Sequence, residues 1–372
     1  MKLLFVTPHD LNDLQGNGGI KAAQRNYELL KRINDAVIEV CILRRKDYCE
    51  DKLSVLSINQ PDGNIGDLIA ALFGYKKIFP WDALKIKKHV KKNKYDLVWI
   101  DSSLIGNLAF LRRYCKVIVS FQNCEFDYSM NKVKKEGYKY LLSALSSKVN
   151  EKRAVKADRI FCLNKRDSDR IFELYKRKAD YYLPITFKDV FDESKIRRND
   201  DKNLLFIGSY FEPNADSIMW FIQNVMCRLS DFKLVIVGRG FETIKQDIES
   251  MFDNVSVIGS ADDLEEYYYS YSVMVMPILY GAGMKVKTAE AMMYGKTIIA
   301  SQEALEGYET EGVNGIYRCN SADEYYLTIK KIFDEPNTDL FYQKDVRQLF
   351  LDKYTTDSVF NSVKSAIGDL IE

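Results

Sequence analysis

The strongest constraint on the fold is a repeated alternation of short apolar runs with longer amphipathic stretches. The short runs are rich in Val, Ile and Leu and predict buried strands of a parallel sheet, whereas the amphipathic stretches predict helices. In the first half of the chain the predicted strands are Leu3–Thr7, Val37–Leu43, Asp96–Ile100, Lys116–Ser120 and Asp158–Leu163. In the second half they are Leu204–Gly208, Lys233–Gly238, Val255–Gly259, Val273–Pro277 and Thr297–Ala300. Such an alternation is typical of an α/β fold with helices on both faces of a parallel sheet.

The alternation restarts after the polar stretch 192–202, and this restart divides the chain of 372 residues into two predicted domains. We expect two Rossmann-like, doubly wound domains that face each other across a cleft, one at residues 1–190 and the other at 191–355. A final helical stretch, 356–372, either ends the second domain or packs back on the first. Because ligands of open parallel sheets bind at the carboxyl ends of the strands, we expect the site there.

The composition excludes several classes of protein. A hydrophobic fraction of 47% is enough for two cores and excludes a disordered chain. The apolar run that follows Lys2 is too short for a signal peptide, and no run reaches the length of a membrane span. The seven cysteines include no C-x-x-C pair and no metal-binding spacing, which predicts free thiols in a reducing compartment. We therefore expect a soluble, cytoplasmic protein.

The charge is unevenly distributed along the chain. Residues 1–199 hold 39 Lys+Arg against 25 Asp+Glu, a net of +14, and residues 200–372 carry a net of −13. A basic N-terminal half fits an anionic partner, and peripheral contact with the inner face of a membrane through segments 84–94 and 132–156 is one interpretation. A solvated, lysine-rich exterior is the other. The absence of any recognition motif argues against nucleic acid as the partner.

The most informative segment is a glycine-rich turn between a predicted strand and a predicted helix. Gly281 and Gly283 allow free backbone N–H groups at the start of the helix, where the helix dipole favours an anion. Lys285 and Lys287 add two cations at the same end, and two cations there destabilise the helix unless an anion lies between them. Glu290 is about one turn further on and can accept hydrogen bonds from paired hydroxyls. The alternative interpretation is an ordinary turn with two exposed lysines.

This segment resembles the nucleotide-sugar motif of the retaining glycosyltransferases of family 4, the "glycosyl transferases group 1" set. Residues 281–298 follow that family's pattern G-x-G-x-[RK]-x-K-x-x-E-A-M-x-x-G-[KR]-x-[VI] almost completely. Other pieces of the family pattern follow in order, and they are 206–214, 235–240, 254–259 and Gly307, with looser matches at Gly18-Gly19 and at 121–125. The resemblance implies the GT-B fold, with two Rossmann-like domains and the active site between them.

The resemblance also implies roles for individual residues on the donor side. Glu290 would bind the ribose of the nucleotide, and Lys287, with Lys285, would neutralise the diphosphate. The remaining donor-binding positions implied by the resemblance are Gly18, Gly19, Gly208, Ser209, Arg239, Gly259, Gly283, Met284 and Val286. Ala282 stands where many relatives have a second Glu, and Ser209 stands where many have Arg.

The acceptor side is matched more weakly. Four residues in loops after predicted strands of the first half are candidates there, namely His9, Gln122, Asn123 and Glu125. His9 also has an ordinary interpretation as a surface residue of a loop, and Asn123 and Glu125 have one as turn-capping residues. Relatives often have His where this chain has Gln122, and because a glutamine cannot act as a base, no catalytic base is assigned.

Together these observations predict a glycosyltransferase that moves a sugar from a UDP-, GDP- or dTDP-linked donor to a lipid-linked or glycan acceptor. The resemblance implies retention of anomeric configuration, no metal or other cofactor, and a place in surface polysaccharide or glycoconjugate biosynthesis. Two alternatives stay open at this point. One is a GT-B nucleotide-sugar epimerase, and the other is a catalytically degenerate partner subunit.

Overall fold

The computed structural model describes residues 1–13, 18–44, 53–61, 63–198, 201–281, 283–335 and 339–371. The chain forms two compact units. The first comprises Met1–Pro184 together with Val359–Glu372, and the second comprises Ile185–Ser358. The boundary between the units follows Pro184, whereas the sequence placed it after residue 190.

The first unit is built on a sheet of seven parallel strands in the order β3-β2-β1-β4-β5-β6-β7. Its strands are β1 (Lys2–Thr7), β2 (Val37–Arg44), β3 (Ile58–Asn59), β4 (Leu97–Ile100), β5 (Lys116–Phe121), β6 (Arg159–Cys162) and β7 (Tyr181–Tyr182). Its first six helices are α1 (Gly18–Lys31), α2 (Gly63–Leu72), α3 (Pro80–Asn93), α4 (Glu125–Glu136), α5 (Leu141–Ala154) and α6 (Lys165–Tyr175). The central strands are fully buried because helices cover both faces of the sheet.

The second unit has a sheet of six parallel strands in the order β10-β9-β8-β11-β12-β13. Its strands are β8 (Asn203–Ile207), β9 (Lys233–Val237), β10 (Val255–Gly259), β11 (Val273–Met276), β12 (Thr297–Ala300) and β13 (Ile316–Arg318). Its helices are α7 (Glu212–Asn224), α8 (Lys245–Met251), α9 (Glu265–Ser270), α10 (Val286–Met293), α11 (Ala322–Asp334) and α12 (Lys344–Lys353). The strand order reverses between β8 and β11, which is where open α/β sheets bind ligands.

The last helix, α13 (Thr356–Ile371), contributes to the first unit. Its apolar side chains, such as Val363 and Ile367, lie in one hydrophobic cluster with Leu3 and Trp99 of the sheet. One face of the N-terminal sheet is therefore covered in part by the end of the chain.

The prediction of two Rossmann-like parallel-sheet units is confirmed, but α2, α4 and α5 were not predicted as helices. The reason is clearest for α5, whose buried side carries polar residues such as Asn150 and Glu151 and so lacks an apolar period. The helix predicted at 241–251 is a 3-10 turn followed by α8. None of the helices in the described part of the chain is long and apolar enough to cross a bilayer.

Candidate functional site

The strand ends of the second unit approach one another closely. Gly208 follows β8, Gly238 follows β9, and the Gly208 amide donates to the Val237 carbonyl at 2.9 Å. A Cβ atom built on Gly238 would lie 1.9 Å from the Gly208 carbonyl oxygen, so no other residue fits at position 238 without a backbone shift. The Gly238 amide in turn donates to the carbonyl of Gly259 at 2.7 Å. The three glycines expected at strand ends are thus brought together.

Lys287 reaches from α10 to this group of glycines. Its ammonium donates to Asn214 Oδ1 at 2.7 Å, and Asn214 Nδ2 donates to the Ser209 carbonyl at 2.8 Å. The ammonium also lies 4.5 Å from the centre of the Phe206 ring. A Cβ on Gly208 would come within 2.8 Å of Lys287 Nζ. The end of β8, α7 and α10 therefore meet at the point where the strand order reverses.

The environment of Lys287 disfavours its charge. Burial, together with the neighbouring Lys285 ammonium, lowers the pKa of Lys287 to about 7, and the Glu290 carboxylate opposes this shift only in part. The group that accepts its hydrogen bond is a neutral amide, and a bound anion would raise the pKa again. Lys287 is accordingly an ammonium suited to an external anion.

Lys285, by contrast, hydrogen-bonds directly to a carboxylate of the protein. It is the N-cap residue of α10, and its ammonium donates to the Gly283 carbonyl at 2.8 Å and to Glu303 Oε1 at 2.7 Å. From the sequence we expected a bound anion between the two lysines, whereas in the structure Glu303 supplies a carboxylate to Lys285 directly. Glu303 follows β12 and lies outside the glycine-rich motif, so no sequence pattern predicted that it pairs with Lys285.

Glu290 lies on α10 one turn after Lys287. The hydroxyl of Tyr268 donates to Glu290 Oε2 at 3.3 Å, and the Tyr268 ring stacks on Tyr294 with centroids 4.4 Å apart and planes 4° apart. Burial and the Glu290 carboxylate raise the pKa of Tyr268 well above its usual range. No pattern in the sequence connected Tyr268 or Tyr294 with Glu290.

The other predicted donor-side residues lie around these groups. The loops after β8 and β9 are joined by a hydrogen bond of 2.8 Å, which the Tyr210 amide donates to the carbonyl of Arg239. The side chains of Arg239 and Ser209 are both exposed. Met284 is buried and Val286 is the first residue of α10. Ala282 lies outside the described residues.

The strand ends of the first unit carry a hydrogen-bonded polar cluster that the sequence did not reveal. At its centre is Asp101, fully buried after β4, whose carboxylate accepts from Asn26 Nδ2 at 2.6 Å and from Trp99 Nε1 at 3.3 Å. Gln122 Nε2 lies 3.0 Å from the Asp101 carbonyl and 3.4 Å from the carbonyl of Gly19. Burial raises the pKa of Asp101 to about 7. The residues of this cluster are far apart along the chain, which explains why no sequence pattern identified Asp101.

Of the remaining acceptor-side candidates, His9 lies beside the same cluster. Its amide donates to Thr7 Oγ1 at 3.1 Å, and Thr7 Oγ1 lies 3.5 Å from Asp101. Burial and the nearby Lys77 lower the pKa of His9 to about 4, so this imidazole is neutral at pH 7. Gly18 and Gly19, the other two predicted residues near this cluster, are the first two residues of α1.

Glu125 and Asn123 belong to a separate cluster. Glu125 is buried as the first residue of α4, its pKa is raised by burial, and the side chain of Asn123 hydrogen-bonds to it. The Glu125 amide donates to Glu151 Oε1 at 2.6 Å. Glu151 is itself fully buried, and burial raises its pKa to about 7. Two buried carboxyl groups thus lie next to each other at the end of β5.

The comparisons with known proteins agree with this architecture. Over 99% of this chain and 98% of the other, the structure resembles sucrose-phosphate synthase from Thermosynechococcus elongatus, with a TM-score of 0.73 and 14% identity. It also resembles the Anabaena protein HepE in complex with UDP over the whole of both chains, with a TM-score of 0.66 and 13% identity. The fold is GT-B. The predicted fold class is therefore confirmed.

Sequence comparison adds a family match for one GT-B unit. Residues 201–335 match the family model described as "Glycosyl transferases group 1". A protein of Klebsiella pneumoniae named "Uncharacterized 44.6 kDa protein in cps region" is 28% identical over an alignment of 120 residues, which covers 29% of this chain. The match spans about a third (31%) of the length of that relative. The family match covers Lys287 and Glu290, whereas the polar clusters of the first unit lie outside it.

Proposed function

We propose that this protein is a retaining, metal-independent glycosyltransferase that takes a sugar from a nucleotide-diphospho-sugar. The observation that carries the proposal is the position of the Lys287 ammonium, which lies over Gly208 at the reversal of the strand order and next to Glu290 along α10. The family match over residues 201–335 supports glycosyl transfer as the reaction.

In this proposal the second unit holds the donor. Glu290 accepts hydrogen bonds from the ribose hydroxyls, with Tyr268 fixing its carboxylate. Lys287 and the backbone N–H groups at the start of α10 stabilise the negative charge of the departing diphosphate. Gly208, Gly238 and Gly259 allow the backbone to approach the phosphates or the base closely. UDP is one nucleotide of interest, since the Anabaena neighbour was solved with it.

The first unit is proposed to hold the acceptor, a hydroxyl group of a lipid-linked or glycan molecule. Its strand ends offer neutral His9 and the Asp101–Gln122 cluster, which can orient a hydroxyl group. An oxygen of the leaving phosphate can take the proton of the acceptor, so that the reaction needs no separate base. A role in surface polysaccharide biosynthesis is supported by the name of the Klebsiella relative, which refers to a cps region.

The decisive experiment measures sugar transfer and donor hydrolysis with a panel of UDP-, GDP- and dTDP-sugars, with EDTA present. We expect turnover with one of these donors, and we expect Lys287→Met to lower it at least 100-fold because the diphosphate charge is no longer neutralised. Lys331→Met on the exposed face of α11 is the control and keeps the wild-type rate.

Three outcomes would contradict the proposal. Wild-type turnover in Lys287→Met would remove the phosphate role of that residue. Failure of every nucleotide to raise the melting temperature of the wild-type protein would instead indicate a degenerate partner subunit. An isomerised nucleotide sugar as the product would indicate an epimerase.

A further inference from the structure

Helix α2 exposes its large apolar side chains and buries its small ones. Ile65, Leu68, Ile69, Leu72 and the following Phe73 are between 37% and 75% exposed, and their spacing places them on one face of the helix. The face turned toward the unit carries small residues such as fully buried Ala70. An ordinary surface helix has the opposite arrangement, with its large apolar residues facing the core.

The helix is nevertheless fixed to the unit. A Cβ on Gly66 would lie in ordinary contact with Pro61, at 3.5 Å, and with Phe79, at 3.8 Å. Just after the helix, the Gly74 carbonyl accepts from Asn150 Nδ2 at 3.1 Å and from Arg153 at 3.0 Å. The exposed apolar face is therefore held in a defined orientation.

Further exposed apolar residues continue this face at both ends of α2. At one end Phe79 stacks on Trp81 with ring centroids 4.5 Å apart, and Trp81 and Leu84 of α3 are about half exposed. At the other end Gly74 touches Val149 of α5, which shares an exposed stripe with Leu141 and Leu145. We call these exposed residues of α2, α3 and α5 the apolar face; a group of large exposed apolar side chains of this kind marks an interaction site.

Lysines border the apolar face on both flanking helices. On α3 the exposed positions after Leu84 are basic and include Lys88 and Lys92, and on α5 the stripe of Leu145 and Val149 continues with Lys148 and Lys152. Two copies of this chain that met through the apolar face would bring these lysines together and repel each other. An anionic surface, by contrast, attracts them while the apolar side chains are buried.

We propose that the apolar face docks on the surface of an anionic lipid bilayer. With 10 residues α2 is about 15 Å long, too short to span a bilayer and suited to lying in its interface with the apolar side chains among the acyl chains. The aromatic ring of Trp81 belongs at the level of the headgroups, and the lysines contact anionic headgroups. This inference rests on the surface alone and does not require the proposed sugar transfer.

The test is co-sedimentation of the full chain with phosphatidylglycerol-containing vesicles and with neutral phosphatidylcholine vesicles. We expect binding to the anionic vesicles that weakens with salt, and an affinity at least tenfold lower for Leu68→Glu/Leu72→Glu and for the uncharged Leu68→Gln/Leu72→Gln. Leu327→Glu is the matched control, since Leu327 is 63% exposed on α11 of the other unit, and it should bind as the wild type does.

Two results would overturn the proposal. One is wild-type protein that does not bind the anionic vesicles or that binds equally well after both α2 substitutions. The other is a dimer, measured by light scattering, that the α2 substitutions convert to monomers while vesicle binding is unchanged. Nucleotide-induced thermal stabilisation, measured in the same variants, reports on the donor site and separates failure of this inference from failure of the proposed function.

Discussion

Both units hold an ionisable side chain away from solvent at their strand ends, fully buried in the case of Asp101 and partly buried in the case of Lys287, and the two groups are of opposite charge type. In the second unit, burial lowers the pKa of Lys287 to about 7, and in the first unit burial raises the pKa of Asp101 to about 7. The signs are the reverse of the overall charges, since the net charge is +14 over residues 1–199 and −13 over residues 200–372. Net charge therefore describes the surface of each half and does not describe its candidate site.

The partners of the two groups differ as well. Asp101 accepts hydrogen bonds from Asn26, Trp99 and Gln122, donors within its own unit. Lys287 donates to the neutral amide of Asn214, with the small Gly208 beside it. The hydrogen bonds of Asp101 therefore hold the loops of its own unit in place, whereas the Lys287 ammonium is positioned to bind the negative charge of a ligand.

The largest expected effect is that of Gly208→Ala, which tests the ligand side of this comparison. The new Cβ would lie 2.8 Å from Lys287 Nζ and 2.9 Å from Asn214 Nδ2, so both flexible side chains must move from their present positions. We expect nucleotide-sugar affinity to fall about 100-fold, or about 2.7 kcal/mol, while the free energy of unfolding changes by less than about 1 kcal/mol. Calorimetric titration and denaturant unfolding measure the two quantities.

Gly312→Ala is the control for this substitution, because nothing lies within 4 Å of a Cβ at that position, although its positive φ of 74° carries a backbone penalty of its own. Nucleotide affinity should survive in the control. Unchanged affinity in Gly208→Ala would show that Lys287 need not keep its present position.

A smaller, pH-dependent effect is expected for Asp101→Asn, which tests the structural side of the comparison. The folded pKa of Asp101, about 7, lies above the unfolded value of 3.8, so the folded state binds more protons between these values and wild-type stability falls as the pH rises through 7. From pH 5.5 to 8.5 the wild type should lose about 2 kcal/mol relative to Asp101→Asn. Unfolding curves at both pH values measure this difference.

Parallel pH dependence of the two proteins would contradict the interpretation of Asp101. Asp96→Asn, at the exposed edge before β4, serves as the control and should leave the pH dependence as it is in the wild type.

The smallest effect is proton uptake when the donor binds. At pH 8 an amine with a pKa near 7 is mostly neutral, and a bound diphosphate raises this pKa, so Lys287 should take up roughly half a proton or more per nucleotide sugar. Titration calorimetry in buffers of different ionisation enthalpy measures the uptake. The control Lys331→Met should take up as many protons as the wild type. If the wild type takes up no proton when the donor binds, Lys287 does not face the diphosphate.

The sequence predicted the second unit better than the first because the information there is local. The strands β8 to β11 are mostly apolar runs that end in, or are followed by, glycine or proline, and Lys287 and Glu290 lie within one short motif. Glu303 and Tyr268, which contact Lys285 and Glu290, reach the site only through the tertiary fold. Patterns along the chain cannot reveal such contacts.

In the first unit the periodicity itself was misleading. Helix α5 buries Asn150 and Glu151 and so lacks the apolar period of a core-facing helix. Helix α2 has an apolar face, but this face is turned outward rather than toward the core. The Asp101 cluster joins residues from β1, α1, β4 and the end of β5. Each of these residues is an ordinary polar residue in the sequence, and they form a candidate site only because the fold brings them together.

The placement of α13 has a consequence for biosynthesis. The sheet of the first unit is complete once Pro184 has been made, but Val363 and Ile367, which cover part of one face, are added almost two hundred residues later. At ~5–20 residues per second this interval is on the order of ten seconds or more. During that time the nascent sheet exposes apolar side chains such as Leu3. A chaperone can bind this exposed surface until α13 has been synthesised.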